Sequence, residues 1–328
     1  MITRHHQPSN GQGWRLALKQ CFDPDTLVKG RRPLVIVPGY GMNTFILGFH
    51  PTGLSMEAFL VQAGFEVWSI NLRGQGDSTR EGGESRYGFR ELALVDLPCA
   101  LEVVLRECRT GAVAADLIGC SLGASIVYAY LAHHLSDHKA GSVVSMGGPL
   151  RWDKVHPAVR LIFTSPRLAG VVPIRGTRRL ARLAIPLAVR VPPLLSIYMN
   201  VDQIDLSQAD QLVRTVEDPN RRLNRQIGRW IHARDLVVGG VNVTDALGGL
   251  KGVPILCVLA NGDGIVPPEA ALSVARALPA GEDGRQRVDI LKVGTDKDWF
   301  AHADLFISRL AQEQVFAPLA DWLIHRPS

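Results

Sequence analysis

The sequence has little cysteine, few aromatic residues and no long apolar run. Five cysteines among 328 residues (Cys21, Cys99, Cys108, Cys120 and Cys257) are odd in number, scattered, and include no C-x-x-C pair. That pattern excludes a disulfide framework, offers no zinc-ligand spacing, and fits a reducing compartment. No stretch reaches the roughly 18 apolar residues that a membrane-spanning helix needs. The basic opening MITRHHQPSN is followed by no apolar signal segment. A soluble, cytoplasmic protein is expected, and the first ten residues are expected to be a disordered leader. Aromatics make up only 6% of the chain and are not interleaved with Lys and Arg, so the net charge of +5 builds no recognisable nucleic-acid module. Nucleic acid is not an expected partner. Internal repeats and low-complexity tracts are also absent.

What is present is apolar and rhythmic. Hydrophobic residues form 46% of the chain and charged ones 20%, enough apolar surface for a packed interior. Short apolar runs bounded by Gly and Pro alternate with longer helical patterns, as in a parallel sheet covered on both faces. Strands are expected at Trp14 to Gln20, Leu34 to Val37, Phe65 to Ile70, Asp116 to Gly119, Val143 to Met146, Val253 to Leu259 and Val288 to Val293. Helices are expected at Ser55 to Ala63, Gly88 to Cys108 with a kink at Pro98, Leu122 to Leu135, and Asp304 to Ile324. The fold class is α/β, an open, doubly wound sheet.

The rhythm breaks between about Leu150 and Gly252. Residues 151 to 190 carry eight arginines against one acid, Asp153, and the interval is strongly apolar through residues that include Leu168, Val171, Ile174, Leu183, Leu195 and Ile197. This segment reads as an insertion over the sheet, dividing the chain into a core (1–149), a cap (150–250) and the rest of the core (251–328). A cap so composed would line an acyl pocket and could touch an anionic membrane surface transiently through its arginines. Pro173, Pro186, Pro192 and Pro193 argue against one long interfacial helix.

Between an expected strand and an expected helix, Gly119-Cys120-Ser121-Leu122-Gly123 matches G-x-S-x-G, a nucleophile elbow. The central residue of such a turn projects above the sheet, and the flanking glycines leave room for the crossing. The spacing therefore selects Ser121 as nucleophile and leaves Cys120 buried. A serine hydroxyl needs a base, and the base needs an orienting acid. Sheets of this kind bring them in the chain order Ser, Asp, His. Asp263 follows the strand VPILCVL, and His302 lies in the loop after the strand ending at Val293. Asp153 is the second candidate for the acid; Asp296 and Asp298 could shape the entrance near His302, and Asp77 also lies on a loop that could reach this edge. Two backbone N–H groups, of Leu122 and Tyr40, are the candidate oxyanion donors.

The motifs LVIVPGYG, FEVWSINLRGQGDS, IGCSLGA, VPILCVLANGDGIVPP and AHADLF together resemble the α/β-hydrolase superfamily. The resemblance implies a Ser-His-Asp triad on an eight-stranded, mostly parallel sheet with a helical cap after the sixth strand. Pro38 stands where many members carry His before the oxyanion-loop glycine. HADLF and the Arg73-Gly74 loop are similar to acid-lipase-like and other lipid-ester hydrolases. GYGMNTFIL and FLVQAGFEVWSI are similar to poly(3-hydroxyalkanoate) synthases, which use a cysteine in the middle of the elbow. Here that place holds Ser121, which points to hydrolysis or serine-based acyl transfer on a hydrophobic or lipid-like ester. No cofactor and no metal are expected. Alternatives are an acyltransferase or polyester-related enzyme, and a non-catalytic binding module on the same fold.

Overall fold

The structure is a computed structural model that describes residues 1–164, 195–218, 220–278, 280 and 287–325. Eight strands form one sheet: β1 (Ile2–His6), β2 (Ala17–Phe22), β3 (Leu34–Val37), β4 (Val67–Asn71), β5 (Ala115–Cys120), β6 (Ala140–Met146), β7 (Ile255–Ala260) and β8 (Val288–Val293). Their spatial order is β1-β2-β4-β3-β5-β6-β7-β8. The first two are antiparallel additions; from β4 to β8 every pairing is parallel. Strands β3, β5 and β7 are buried along their whole length, as the continuous apolar runs LVIV and ILCVLA require.

Register aligns the carboxyl ends. Val37 is opposite Gly119, Cys120 opposite Met146, and Ala260 opposite Val293. The loops leaving β3, β5, β6, β7 and β8 therefore converge on one rim, where ligands bind in open parallel sheets. Two apolar clusters, one per face, pack the sheet against α1 (Met56–Gln62), α2 (Leu97–Glu107) and α3 (Leu122–His133). Further along the chain come α4 (Pro157–Thr164), α5 (Arg221–Ala233), α6 (Asp304–Ile307) and α7 (Ala317–His325). The insertion follows the sixth strand, and beyond it the sheet resumes at β7.

The leader is not disordered. Ile2 pairs with Phe22 and His6 with Leu18, so the first residues form the edge strand β1. Side chains explain why a polar segment holds this place. The His6 ring lies 4.8 Å from Trp68, its Nε2 is 3.0 Å from Gln20 Oε1, and the Arg4 guanidinium sits over Phe22.

Proline also reshapes two expected helices. Before Pro98, the N–H of Leu97 bonds to Leu92 O, making a π-helical turn over Leu92–Asp96. Before Pro318 the same happens over Gln312–Phe316. Proline offers no N–H to the preceding turn, and a wider turn upstream absorbs the defect without breaking the axis. The last expected helix is also interrupted at Ser308, whose backbone is extended.

Of the insertion, the described part contains α4, α5, short helical turns between Val201 and Thr215, and a hairpin pairing Val237–Val238 with Val241–Asn242. The apolar, arginine and proline positions expected to line a pocket or touch a membrane from Arg167 to Leu194 lie outside the described residues. Leu195, at the edge of that span, packs partly buried on the core. No helix among the described residues is long and apolar enough to cross a membrane.

Candidate active site

At the end of β5 the chain turns sharply into α3, and Ser121 is the turn. Its backbone sits at φ 53°, ψ −121°, a left-handed conformation that costs a non-glycine residue on the order of 1–3 kcal/mol. The surroundings impose it. Ser121 N–H still donates to Met146 O at 2.8 Å, continuing the ladder, while Ser121 O accepts Ala124 N–H at 3.0 Å, already inside the helix. Both elbow glycines are needed for packing. A side chain at position 119 would run into the backbone of Ala124, and one at 123 into the carbonyl of Val37. Cys120, one place earlier, is fully buried among core residues, and burial pushes its thiol pKa far above the ordinary value.

The loop after β7 holds Asp263 by its own backbone. Asp263 Oδ1 accepts the N–H groups of Ile265 and Val266, both at 2.8 Å, which aims Oδ2 outward. Oδ2 lies 2.6 Å from Nδ1 of His302. With a carboxylate at that distance Nδ1 carries the proton, leaving the Nε2 lone pair for the open side. Both groups are buried, Asp263 at 4% and His302 at 6% exposure. The two loops brace each other, since Gly262 N–H donates to Phe300 O and Phe300 N–H to Asn261 Oδ1, each at 2.8 Å.

Ser121 and His302 flank the glycine pair that follows β6. The Cβ position of Gly147 is 3.3 Å from His302 Cε1, and that of Gly148 is 2.7 Å from Ser121 O. Ser121 is 8% exposed. Hydroxyl, imidazole and carboxylate thus come from three loops to the same rim.

The loop after β3 reaches Ser121 from the other side. Gly39 is so close that a Cβ there would lie 2.8 Å from Ser121 Cβ and 2.9 Å from Cys120 O. Tyr40 follows it in the chain. Leu122 opens α3, where first-turn N–H groups have no partner within the helix. The insertion fixes this loop: Met42 pairs with Val216, Glu217 N–H donates to Gly41 O at 2.8 Å, and Asn43 N–H to Thr215 O at 2.9 Å. Tyr40 hydroxyl donates to Asn224 Oδ1 on α5 at 2.8 Å, and burial raises its pKa well above the phenol value. Gly39, Tyr40, Leu122, Ile126 and Leu223 help line a small cavity of about 30 Å³ beside the nucleophile.

The other acids lie apart from this geometry. Asp153, the second candidate, is engaged by Arg276 and sits 3.6 Å from Arg151; the charge is spent there, and Asp263 holds the place beside His302. Asp296 and Asp298 are on an exposed turn closed by Thr295, and Asp77 lines a separate cleft with His5 and Arg214. Among the described residues, no group of three or more His, Cys, Asp or Glu side chains could hold a metal ion.

Sequence reading missed Asn224, Glu217, Asn200 and Asp304. Glu217 Oε1 accepts from Asn43 Nδ2 at 2.5 Å and from Gly76 N–H at 3.1 Å, joining two loops at the rim. Asp304, two residues after His302, is fully buried and accepts N–H groups from Asn200 and Ala301. Burial, reinforced by the charge of Asp263, pushes its pKa up to about 7, against the pull of those N–H groups and of His302. Its spacing from His302 was the one visible signal.

The family model described as "alpha/beta hydrolase fold" matches residues 32–294. No curated protein matches the sequence. Among solved structures, similar ones include a soluble variant of monoglyceride lipase from Saccharomyces cerevisiae in complex with a substrate analog, with TM-score 0.64 and 14% identity, covering 100% of this chain and 96% of that one. A serine hydrolase from the polyaromatic-hydrocarbon-degrading bacterium Cycloclasticus zankles gives TM-score 0.65 and 12% identity, covering 98% of each chain. The enol-lactonase from Burkholderia xenovorans LB400 gives 0.61 and 15%, covering 95% of this chain and 98% of that one. At these identities the likeness is one of fold.

Proposed function

The chain belongs to the α/β-hydrolase family, and from that premise we propose that it is a serine hydrolase cleaving carboxylic esters of hydrophobic acyl substrates through an acyl-enzyme. The observation that carries this reading is the strained Ser121 at the head of α3, on the same rim as an Asp263–His302 pair at 2.6 Å.

In the proposed reaction, His302 Nε2 takes the hydroxyl proton as Ser121 Oγ attacks the ester carbonyl. Asp263 fixes the ring tautomer and supports the imidazolium that forms. The carbonyl oxygen becomes an oxyanion and receives the N–H groups of Leu122 and Tyr40. The tetrahedral adduct collapses, its C–O bond to the leaving alkoxide breaks, and the imidazolium proton passes to that oxygen. Water deprotonated by His302 then attacks the acyl-enzyme, releasing the carboxylic acid and restoring Ser121.

A fluorophosphonate probe and a panel of p-nitrophenyl esters of increasing chain length test this. Covalent labelling at Ser121 and turnover rising with acyl length support the reading. Labelling that survives Ser121→Ala, or no turnover of any ester, overturns it. Added alcohol that diverts product from acid to ester would identify transfer as the reaction.

A further inference from the structure

Within the insertion, the segment from Ile197 to Gln203 is fastened to both loops that carry Asp263 and His302. Ile197 O accepts Gly264 N–H at 3.0 Å, and Tyr198 O accepts Ala303 N–H at 2.8 Å. Asn200 donates through its side-chain amide to Trp299 O at 2.9 Å, and Gln203 Nε2 donates to the same carbonyl at 3.1 Å. The backbone N–H of Asn200 meets both oxygens of Asp304, at 2.9 and 3.1 Å. Asp304 Oδ2 also accepts Ala301 N–H at 2.6 Å. The five residues from Trp299 to Ala303 are thus pinned at Trp299, Ala301 and Ala303, with His302 among them.

We propose that Asp304 is a positioning residue for ester hydrolysis: by gathering the N–H groups of Ala301 and Asn200 on one buried side chain, it locks the His302 loop to residues 197–203 of the insertion and so aims the imidazole. The inference rests on the reading of His302 as the base. Asp304 acts through the backbone, and its substitution leaves all three triad side chains in the chain. An imidazole held from one side by Asp263 alone can pivot about that bond, and a displacement of about 1 Å at a reacting group costs on the order of a hundredfold in rate. The second anchor stops the pivot.

The titratable groups facing Asp304 are Asp263 from the acid loop, His302 from its own loop and Tyr198 from the insertion. Its carboxyl, raised to about 7, binds a proton more tightly in the fold than in the unfolded chain. The fold is penalised for ionising this group, so wild type loses stability relative to an uncharged variant as pH rises from about 4 to about 7.

The test uses the full chain with Asp304→Asn and, separately, Asn200→Ala, which keeps the backbone N–H to Asp304 but removes one of the two side-chain donors to Trp299 O. Turnover of a p-nitrophenyl ester, fluorophosphonate labelling and melting temperature are measured across pH. In Asp304→Asn, kcat is expected to fall about tenfold to a hundredfold, with KM changed less than about threefold. Asn200→Ala should show the same split with a smaller loss, and it carries the test alone if Asp304→Asn fails to fold. Folded variants with kcat within about twofold of wild type overturn the proposal, whatever their melting temperatures. A wild type that a fluorophosphonate does not label instead sinks the serine-hydrolase reading itself.

Discussion

The guanidinium of Arg73 and the carboxylate of Asp96 meet in a two-pronged pair, at 2.8 Å through Nε and 2.7 Å through a terminal nitrogen. Their side chains are 2% and 0% exposed. Asp96 also accepts Arg73 N–H at 3.1 Å and Asn10 Nδ2 at 2.7 Å, so its charge is surrounded by donors. Arg73 opens the loop in which Gln75 donates to Gly39 O at 3.3 Å, linking this ion pair to the segment beside Ser121.

Removing one partner of a buried pair leaves the other charge uncompensated, typically costing about 3–5 kcal/mol. Asp96→Ala is therefore expected to lose about that much in chemical denaturation, with Arg73 stranded. A loss below about 1 kcal/mol would mean that water or another acid takes over the guanidinium.

Gly39→Ala tests how tightly the first loop is seated. The added methyl would lie 2.8 Å from Ser121 Cβ and 3.1 Å from Met42 Sδ. The sulfur can move; the nucleophile and the carbonyl of Cys120 cannot without disturbing the elbow. Activity should fall at least about a hundredfold, the scale seen when an oxyanion donor is lost. Wild-type kcat in Gly39→Ala would remove this loop from the oxyanion site.

The adjacent thiol and hydroxyl of Cys120 and Ser121 separate cleanly. Cys120 is walled in by the core, and its raised pKa keeps it protonated, hence a poor nucleophile. Ser121→Ala should abolish fluorophosphonate labelling, whereas Cys120→Ala should keep it and lose about 1 kcal/mol or more of stability to the cavity. Loss of labelling in a folded Cys120→Ala would reverse the assignment.

The rim was legible because its parts obey local rules. G-x-S-x-G demands a strand-to-helix turn, the apolar run before Asp263 is long enough to be a buried strand, and the alternating VDILKV before His302 reads as a strand although its middle is exposed at the sheet edge. What escaped was long-range. Nothing near Tyr40 announces that its hydroxyl finds Asn224, 184 positions away, and nothing near Asn200 announces Asp304. Hydrogen bonds between loops and an insertion leave no period in the sequence. The edge strand β1 escaped for another reason: its residues are exposed and polar, and their place is set by backbone pairing with β2 and by the His6–Trp68 contact.

Tyr40→Phe separates the two roles of Tyr40. Phenylalanine keeps the backbone N–H proposed for the oxyanion but leaves Asn224, buried on α5, without the hydroxyl it accepts. An unpartnered buried amide oxygen costs about 1–3 kcal/mol, so stability should drop by that order. Turnover of the folded variant should change by less than about tenfold, since the donor to the oxyanion remains. A collapse of kcat without loss of stability would mean that the hydroxyl itself works in the reaction.

His50 gives the pH dependence of the fold a definite sign. Its Nδ1 accepts Thr52 N–H at 3.2 Å, while Nε2 lies 3.0 Å from the carbonyl of Ser308. Only the neutral ring protonated on Nε2 satisfies both partners. Burial, the larger influence, lowers its pKa below the ordinary 6.5, and the bond to Ser308 opposes that in part. As pH falls below 6.5 the unfolded chain takes up a proton first, so the stability that neutral His50 contributes is present at neutral pH and is lost on acidification. Melting curves from pH 7 to pH 5 should show wild type losing stability faster than His50→Gln, whose amide can donate to Ser308 but does not titrate. Parallel curves for the two proteins would mean that another group sets the acid limb.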